Sequence, residues 1–239
     1  MTMTTLLALD TSTEACSVAL FYRGETIAAD ELAQRAHTKR ILPMVDDILA
    51  QAGIRLNQVD ALAFGRGPGS FTGVRVGAGI AQGLALGADL PVIPVSNLTA
   101  MAQQAYEQYG ATQVLCAIDA RMNEVYFSRL AGEKVRSDFG EFIQWRPVID
   151  EQVCRPEQAI AQLSDLNGQW MTVGTGWNAY AQFAAAGLAS HSTVELPSAR
   201  YMLSLALPLY QRRQWISAVD IEPVYLRNTV TWKKLPGRE

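Results

Sequence analysis

A chain of 239 residues with 49% hydrophobic and 18% charged residues can bury a substantial core in one large or two ordinary domains. A net charge of −3 supplies no global field for nucleic acid, so tight autonomous RNA binding is not expected, and any RNA contact must come from a local patch or a partner. Three cysteines without short spacing (Cys16, Cys116, Cys154) argue against a disulfide framework or thiolate zinc site, and two distant histidines (His37, His191) against a His-rich zinc centre.

The start of the chain lacks a basic region, and residues 6–9 are too short for a secretory core before Asp10 interrupts them. The most apolar long window, residues 74–90, holds Arg75, Gln82 and several glycines, and falls short of the ~20 residues a bilayer span needs. A cytoplasmic protein with no membrane partner is expected.

In chain order, residues 5–9, 15–22 and 25–31 read as three consecutive strands, with Arg23-Gly24 turning the second into the third. Residues 38–52 switch to helical spacing, with Ile41, Leu42, Val45, Ile48 and Leu49 on one face and Gly53 as the stop. Pro43 predicts a later start for that helix. Residues 58–64 form a fourth strand, residues 65–69 a loop and residues 71–87 the next helix. That helix carries Gly73, Gly77, Gly79, Gly83 and Gly87, each costing ~1 kcal/mol in a helix interior. Gly79, Gly83 and Gly87 recur every four residues, which lets another backbone approach, either that of its own sheet or that of a helix in another subunit. Residues 91–95 are a fifth strand, and residues 97–109 a helix capped by Ser96.

The second half opens with strands ending in Asp119 and beginning at Val125, and residues 170–173 read as another. Residues 133–153 read as irregular. Residues 155–166, 178–186 and 198–212 read as helices, the last bent or ended by Pro208. The tail, residues 225–239, sets Arg227, Lys233, Lys234 and Arg238 against Glu239 alone, a basic stretch that is either solvated or docked on a partner or tRNA.

Two landmarks recur at one spacing. Ala8-Leu9-Asp10 is matched by Ala117-Ile118-Asp119 (119 − 10 = 109), and the strand ending at Gly65 by the strand ending at Gly174 (174 − 65 = 109). Duplicated halves that begin with a strand, an aspartate, a turn and a strand face each other across a cleft. Asp10, Asp119 and the turn glycines Gly67, Gly69, Gly174 and Gly176 are therefore candidate cofactor-binding positions, where backbone N–H groups approach a phosphate or a metal-bound ligand. Turn capping accounts equally well for each. Residues 65–73 lead from strand to helix but lack the P-loop lysine, place Ser70 where a dinucleotide fingerprint has its third glycine, and do not centre a serine as a nucleophile elbow does. His37 is a candidate activator of Ser70 or a cysteine, though no spacing brings them together.

Ala8-Leu9-Asp10-Thr11-Ser12, residues 37–43 from His37 to Pro43, residues 65–75 from Gly65 to Arg75, and Pro223-Val224-Tyr225-Leu226-Arg227 together resemble the bacterial TsaB (YeaZ) family, over nearly the whole chain. The resemblance implies an α/β protein with the actin-like, sugar-kinase/Hsp70-type fold of two ribonuclease-H-like halves, residues 1–109 with the dimerisation helices and a diverged 110–239. It implies a non-catalytic subunit needed to make threonylcarbamoyladenosine in tRNAs reading codons that begin with A. TsaD would be its catalytic partner in a heterodimer, the ATPase TsaE a further member, and a homodimer its state when alone, with tRNA engaged indirectly. The catalytic relative's two metal-binding histidines fall on Asn97 and Met101, so no metal, cofactor or catalytic residue is expected. A partner interface is expected at His37, Ile41 and Val45 on one helix and Val76, Gly79, Ile80, Gly83 and Gly87 on the next. The competing readings are an actin-fold ATPase or kinase holding Mg²⁺ between Asp10 and Asp119, and a glycoprotease-type metallopeptidase.

Overall fold

In the computed structural model, which describes residues 4–33, 36–137, 140–188 and 192–227, the first apolar run becomes a strand buried at every position. This strand, β1 (Leu6–Asp10), is central in a sheet with β2 (Ala15–Tyr22), β3 (Glu25–Leu32), β4 (Ala61–Gly67) and β5 (Val92–Ser96), in the order β3-β2-β1-β4-β5. A strand covered on both faces needs apolar residues without alternation. On one face Leu7, Leu9 and Val18 pack against α1 (His37–Ala52) and α2 (Phe71–Ala88) through Ile41, Val45, Ile48 and Ala81. On the other, Leu6, Ala8 and Ala63 pack against α7 (Ala199–Gln211) through Met202, Leu203 and Ala206.

The second sheet, in the order β8-β7-β6-β9, contains β6 (Gln113–Asp119), β7 (Val125–Ser137), β8 (Gly140–Cys154) and β9 (Met171–Val173). One face packs on α3 (Asn97–Tyr109) through Leu98, Met101 and Ala105. The other is covered by α4 (Pro156–Ala161), α5 (Gly176–Ala179) and α6 (Ala181–Ala185), with Trp177 and Phe183 at its centre.

The duplication is visible in the topology. β1 has an antiparallel neighbour in β2 and a parallel one in β4, and β6 has the same relation to β7 and β9. The register is not copied. Ala8 lies opposite Ala63, so a 109-residue shift would set Ala117 opposite Thr172, yet Leu115 takes that place. A slip of two residues keeps every side chain on its own face, which is why it is tolerated.

Several elements differ from expectation. Residues 133–153 are not irregular: β7 and β8 form one long hairpin in which Gly132 pairs with Trp145 and Val135 with Phe142. α1 starts at His37 and runs through Pro43, because the carbonyl that proline leaves unpaired belongs to Lys39 on the exposed side. α7 likewise runs through Pro208. Residues 56–58 form a 3₁₀ turn, so β4 begins at Ala61 and extends to Gly67 through what reads as loop. α4 stops at Ala161, and residues 178–186 are divided between α5 and α6 by the extended backbone of Tyr180. Among the described residues no helix is long and apolar enough to cross a membrane.

Candidate functional site

β1 and β6 each end in an aspartate at the start of a turn, and the two turns face a cavity of about 500 Å³ between the halves. Ser12, His37 and Ser70 line one side; Asp119, Arg121 and Thr175 line the other.

Asp10 does not reach this cavity. It is 1% exposed, and both carboxylate oxygens are occupied from within the fold. Oδ1 accepts from Asn97 Nδ2 (2.7 Å), and Oδ2 accepts from Ser12 N (3.3 Å) and Ser12 Oγ (3.0 Å). Burial pushes its carboxyl up to about 6 against these donors, which favour the charged form. Asn97 also accepts from Gly67 N (2.7 Å) and donates to Ser12 Oγ (2.6 Å). Gly65 is glycine because a Cβ there would lie 1.9 Å from Asp10 Oδ1. Gly69 meets the same limit at 2.4 Å from Ser12 O, and Ser70 N donates to that carbonyl at 2.7 Å. A metal-bound phosphate requires a carboxylate oxygen and turn amides that face it; this carboxylate is buried off the cavity with Asn97 and Ser12 on its two oxygens, so the turn does not present it to such a group.

Asp119 does line the cavity, but it is paired as well. Oδ1 accepts from Arg121 N (2.8 Å) and Tyr180 Oη (2.7 Å), and Oδ2 lies 3.0 Å from Arg121 Nη1. Burial, with the bond to Asp119, pushes the Tyr180 phenol up to about 12. Arg121, Met122 and Asn123 all sit in the left-handed region (φ 59°, 56° and 60°). Arg227 holds the turn, donating to Ala120 O (3.1 Å) and pairing with Glu124. The tail's first charge is therefore engaged in the cleft wall, while Lys233, Lys234, Arg238 and His191 lie outside the described residues. Gly174 and Gly176 face β6, where their Cβ atoms would meet Ala117 O at 2.1 and 2.9 Å, and neither lines the cavity.

The cavity brings His37 and Ser70 together without making a base and nucleophile of them. His37 Nε2 is 2.7 Å from Thr13 O, an acceptor only, so that nitrogen carries the proton. Ser70 Oγ caps α2, accepting from Gly73 N (3.0 Å). All three thiols are buried and pushed up, Cys16 and Cys154 to about 11 and Cys116 further, so none supplies a thiolate at neutral pH. Met101 is fully buried in the apolar cluster with Leu98 and Val114, where it offers nothing to a metal.

On the outer surface the helix glycines divide into two rows. Gly73 and Gly77 face the first turn, where their Cβ atoms would come 2.2 Å from Thr11 O and 2.9 Å from Thr11 Oγ1. Gly79, Gly83 and Gly87 face open space with nothing within 4 Å. Val76 and Ile80 flank that open row half-buried. Ile41 and Val45, expected at the docking face, are 0% and 2% exposed in the first core, and α1 presents Leu42 instead. His37 belongs to the cavity wall rather than to this face.

The chain is 71% identical over 98% of its length to the tRNA threonylcarbamoyladenosine biosynthesis protein TsaB of Haemophilus influenzae, covering 98% of that protein. It is 51% identical to the TsaB of Escherichia coli, over 98% of this chain and 99% of that one. This chain belongs to the TsaB family. The family model described as TsaD, tRNA N6-adenosine threonylcarbamoyltransferase, matches residues 27–214. Among solved structures, one described as YeaZ from Pseudomonas aeruginosa is 41% identical with a TM-score of 0.79, covering 94% of this chain and 100% of that one. A second, described as an uncharacterized protein with similarity to peptidase YEAZ from the same organism, is 42% identical with a TM-score of 0.82 at the same coverage. The two mixed sheets flanked by helices are thus the actin-like fold as a TsaB chain carries it.

Tyr180 and Arg227 as partners of the second turn were not named from sequence. They lie 61 and 103 positions from the residues they hold, Asp119 and Glu124, and no local pattern connects such groups.

Proposed function

We propose that this chain is a non-catalytic subunit in the biosynthesis of threonylcarbamoyladenosine in tRNAs reading codons that begin with A. It works in the cytoplasm and binds a catalytic partner of the TsaD kind, with the ATPase TsaE in the same assembly, and it pairs with itself when alone. The observation that carries this reading is the state of Asp10: the residue that would serve a metal or phosphate is buried and bonded on both oxygens to its own fold. The role printed for the relatives at 71% and 51% identity supports the pathway. tRNA is engaged through the assembly, since the chain's charge is −3.

The docking face is the open glycine row of α2, Gly79, Gly83 and Gly87, with Val76 and Ile80 beside it and Leu42 and Leu86 at its margins. Five helix glycines carry a propensity cost of a few kcal/mol; Gly73 and Gly77 are required by the turn they touch, while the outer three gain nothing inside this chain. A second helix crossing at close range supplies that gain. Residues 1–109 provide this face, and residues 110–239 the diverged half, which returns α7 to the first sheet.

Gly83→Leu tests the reading. It fills open space, so the fold should survive, and co-purification with the catalytic partner should be lost. Undiminished co-purification of a folded Gly83→Leu chain contradicts the placement. Calorimetric titration of the parent with ATP and Mg²⁺ should give no binding isotherm; micromolar binding would favour an actin-fold ATPase.

A further inference from the structure

The polar cluster of Asp10, Ser12 and Asn97 beneath the first turn leads directly to α2. Asn97 Oδ1 accepts from Gly67 N at 2.7 Å, and Gly67 (φ 104°) begins the loop that enters the helix. Three residues on, Ser70 N donates to Ser12 O at 2.7 Å, and within the first helical turn Thr11 Oγ1 donates to Gly73 O at 2.7 Å. At Gly69 and Gly73 no side-chain layer separates the loop and helix from the β1–β2 turn, because a Cβ there would lie 2.4 and 2.2 Å from Ser12 O and Thr11 O, and at Gly77 a Cβ would lie 2.9 Å from the Thr11 side-chain Oγ1. The entrance of α2 is thus held by backbone contact on one side and by Asn97 on the other.

We propose that Asp10, Asn97 and Thr11 are positioning residues for the docking face: through the Gly67–Asn97 and Thr11–Gly73 bonds they fix the axis of α2 so that Gly79, Gly83 and Gly87 stand in register for a facing helix. This rests on the docking reading above. The lever is geometric. Gly87 lies 14 residues beyond Gly73, about 21 Å along the axis, so a tilt of about 10° at the first turn moves it by roughly 4 Å. Packed helices lie about 8–10 Å apart, so a displacement of that size exceeds the whole spread of the contact distance. Gln82 Nε2, which donates to Ala218 O at 2.9 Å, anchors the same helix further along, and the two anchors together define its axis. Asn97 also opens α3, whose Leu98 and Met101 pack on the second sheet, so one side chain refers α2 to both halves.

The test compares the self-association of the purified full chain, by sedimentation equilibrium, in the parent, Asn97→Ala, Gly83→Leu and the swap Asp10→Asn with Asn97→Asp. Amide hydrogen exchange over residues 71–80 is followed in each. We expect Asn97→Ala to weaken self-association at least tenfold and to speed exchange over residues 71–80 at least tenfold, with α4 to α6 unchanged. The swap, which returns an amide-to-carboxylate bond of opposite polarity, should restore both. A folded Asn97→Ala chain that associates like the parent while Gly83→Leu is monomeric overturns the positioning role and leaves the docking face standing. A Gly83→Leu chain that associates like the parent, or a parent that does not associate, overturns the docking face and this inference with it. A swap that folds but stays weak shows that the bond between these two side chains is not what positions the helix, and also overturns it. If Asn97→Ala does not fold, Thr11→Val decides in its place, because it keeps the shape at position 11 and removes only the bond to Gly73 O.

Discussion

Asp10 shows how one side chain can be legible in sequence as to place and opaque as to role. An apolar run ending in aspartate at a turn locates it, but its partner Asn97 lies 87 residues away, and nothing local says that its carboxylate will be sealed rather than presented. The same holds for the glycines: four-residue spacing marks a row, and only the neighbours decide which row is compressed. Gly73→Ala should cost several kcal/mol, since its Cβ meets backbone at 2.2 Å, whereas Gly79→Ala, in open space, should stabilise the monomer by about 0.5–1 kcal/mol; urea unfolding of both separates the two rows. Asp10 should also leave a signature in pH. Its folded-state value near 6 stands above the ordinary 3.8, so between the two the folded chain keeps a proton that the unfolded chain has lost. Asp10's contribution to stability is therefore greatest below about pH 4, falls as pH rises to about 6 and is level beyond, a fall of at most roughly 3 kcal/mol. The difference in unfolding free energy between the parent and Asp10→Asn should trace that decline, and a difference level throughout contradicts it.

Among elements, those with strong periodicity or buried apolar runs were readable: β1 and β2, the body of α1, and α3 with its Ser96 cap, whose hydroxyl accepts from Thr99 N at 3.2 Å. The β7–β8 hairpin was not. Its distal half carries charged and exposed residues on both faces, including Glu133, Lys134 and Arg136, and is held by ladder bonds rather than by burial, so period-2 alternation is absent. Prolines misled in the opposite direction. Pro43 breaks one bond on the solvent side of α1 while Ile41, Val45, Ile48 and Leu49 hold the inner face, and tertiary packing outweighs the local loss. Pro43→Ala should accordingly raise stability by about 1–3 kcal/mol in thermal melts; an unchanged or lower melting temperature contradicts that account.

At the scale of the molecule the duplication was legible through two landmarks at one offset, and the fold follows from it. The two-residue slip between the halves was not, because landmarks fix where strands end and not how they pair. Nor was the return of α7 to the first sheet: an apolar stripe declares that a helix is buried, not against which sheet. The halves are joined by polar ties across the chain, notably Arg66 with Glu151 at 3.0 Å, side chains 26% and 17% exposed, and Ser96 Oγ with the same carboxylate. Glu151→Ala leaves Arg66 without its counter-ion and should cost about 1–3 kcal/mol in urea unfolding, with the secondary structure retained.

A framework whose charged cleft residues are paired with one another is suited to holding a partner and not to turning over a substrate. Reconstituted modification of an unmodified tRNA, assayed with this chain alone, with the catalytic and ATPase partners alone, and with all together, measures this most directly. Threonylcarbamoyladenosine should form only when this chain and its partners are combined; full product from the partners without it, or product from this chain alone, rules out the non-catalytic supporting role.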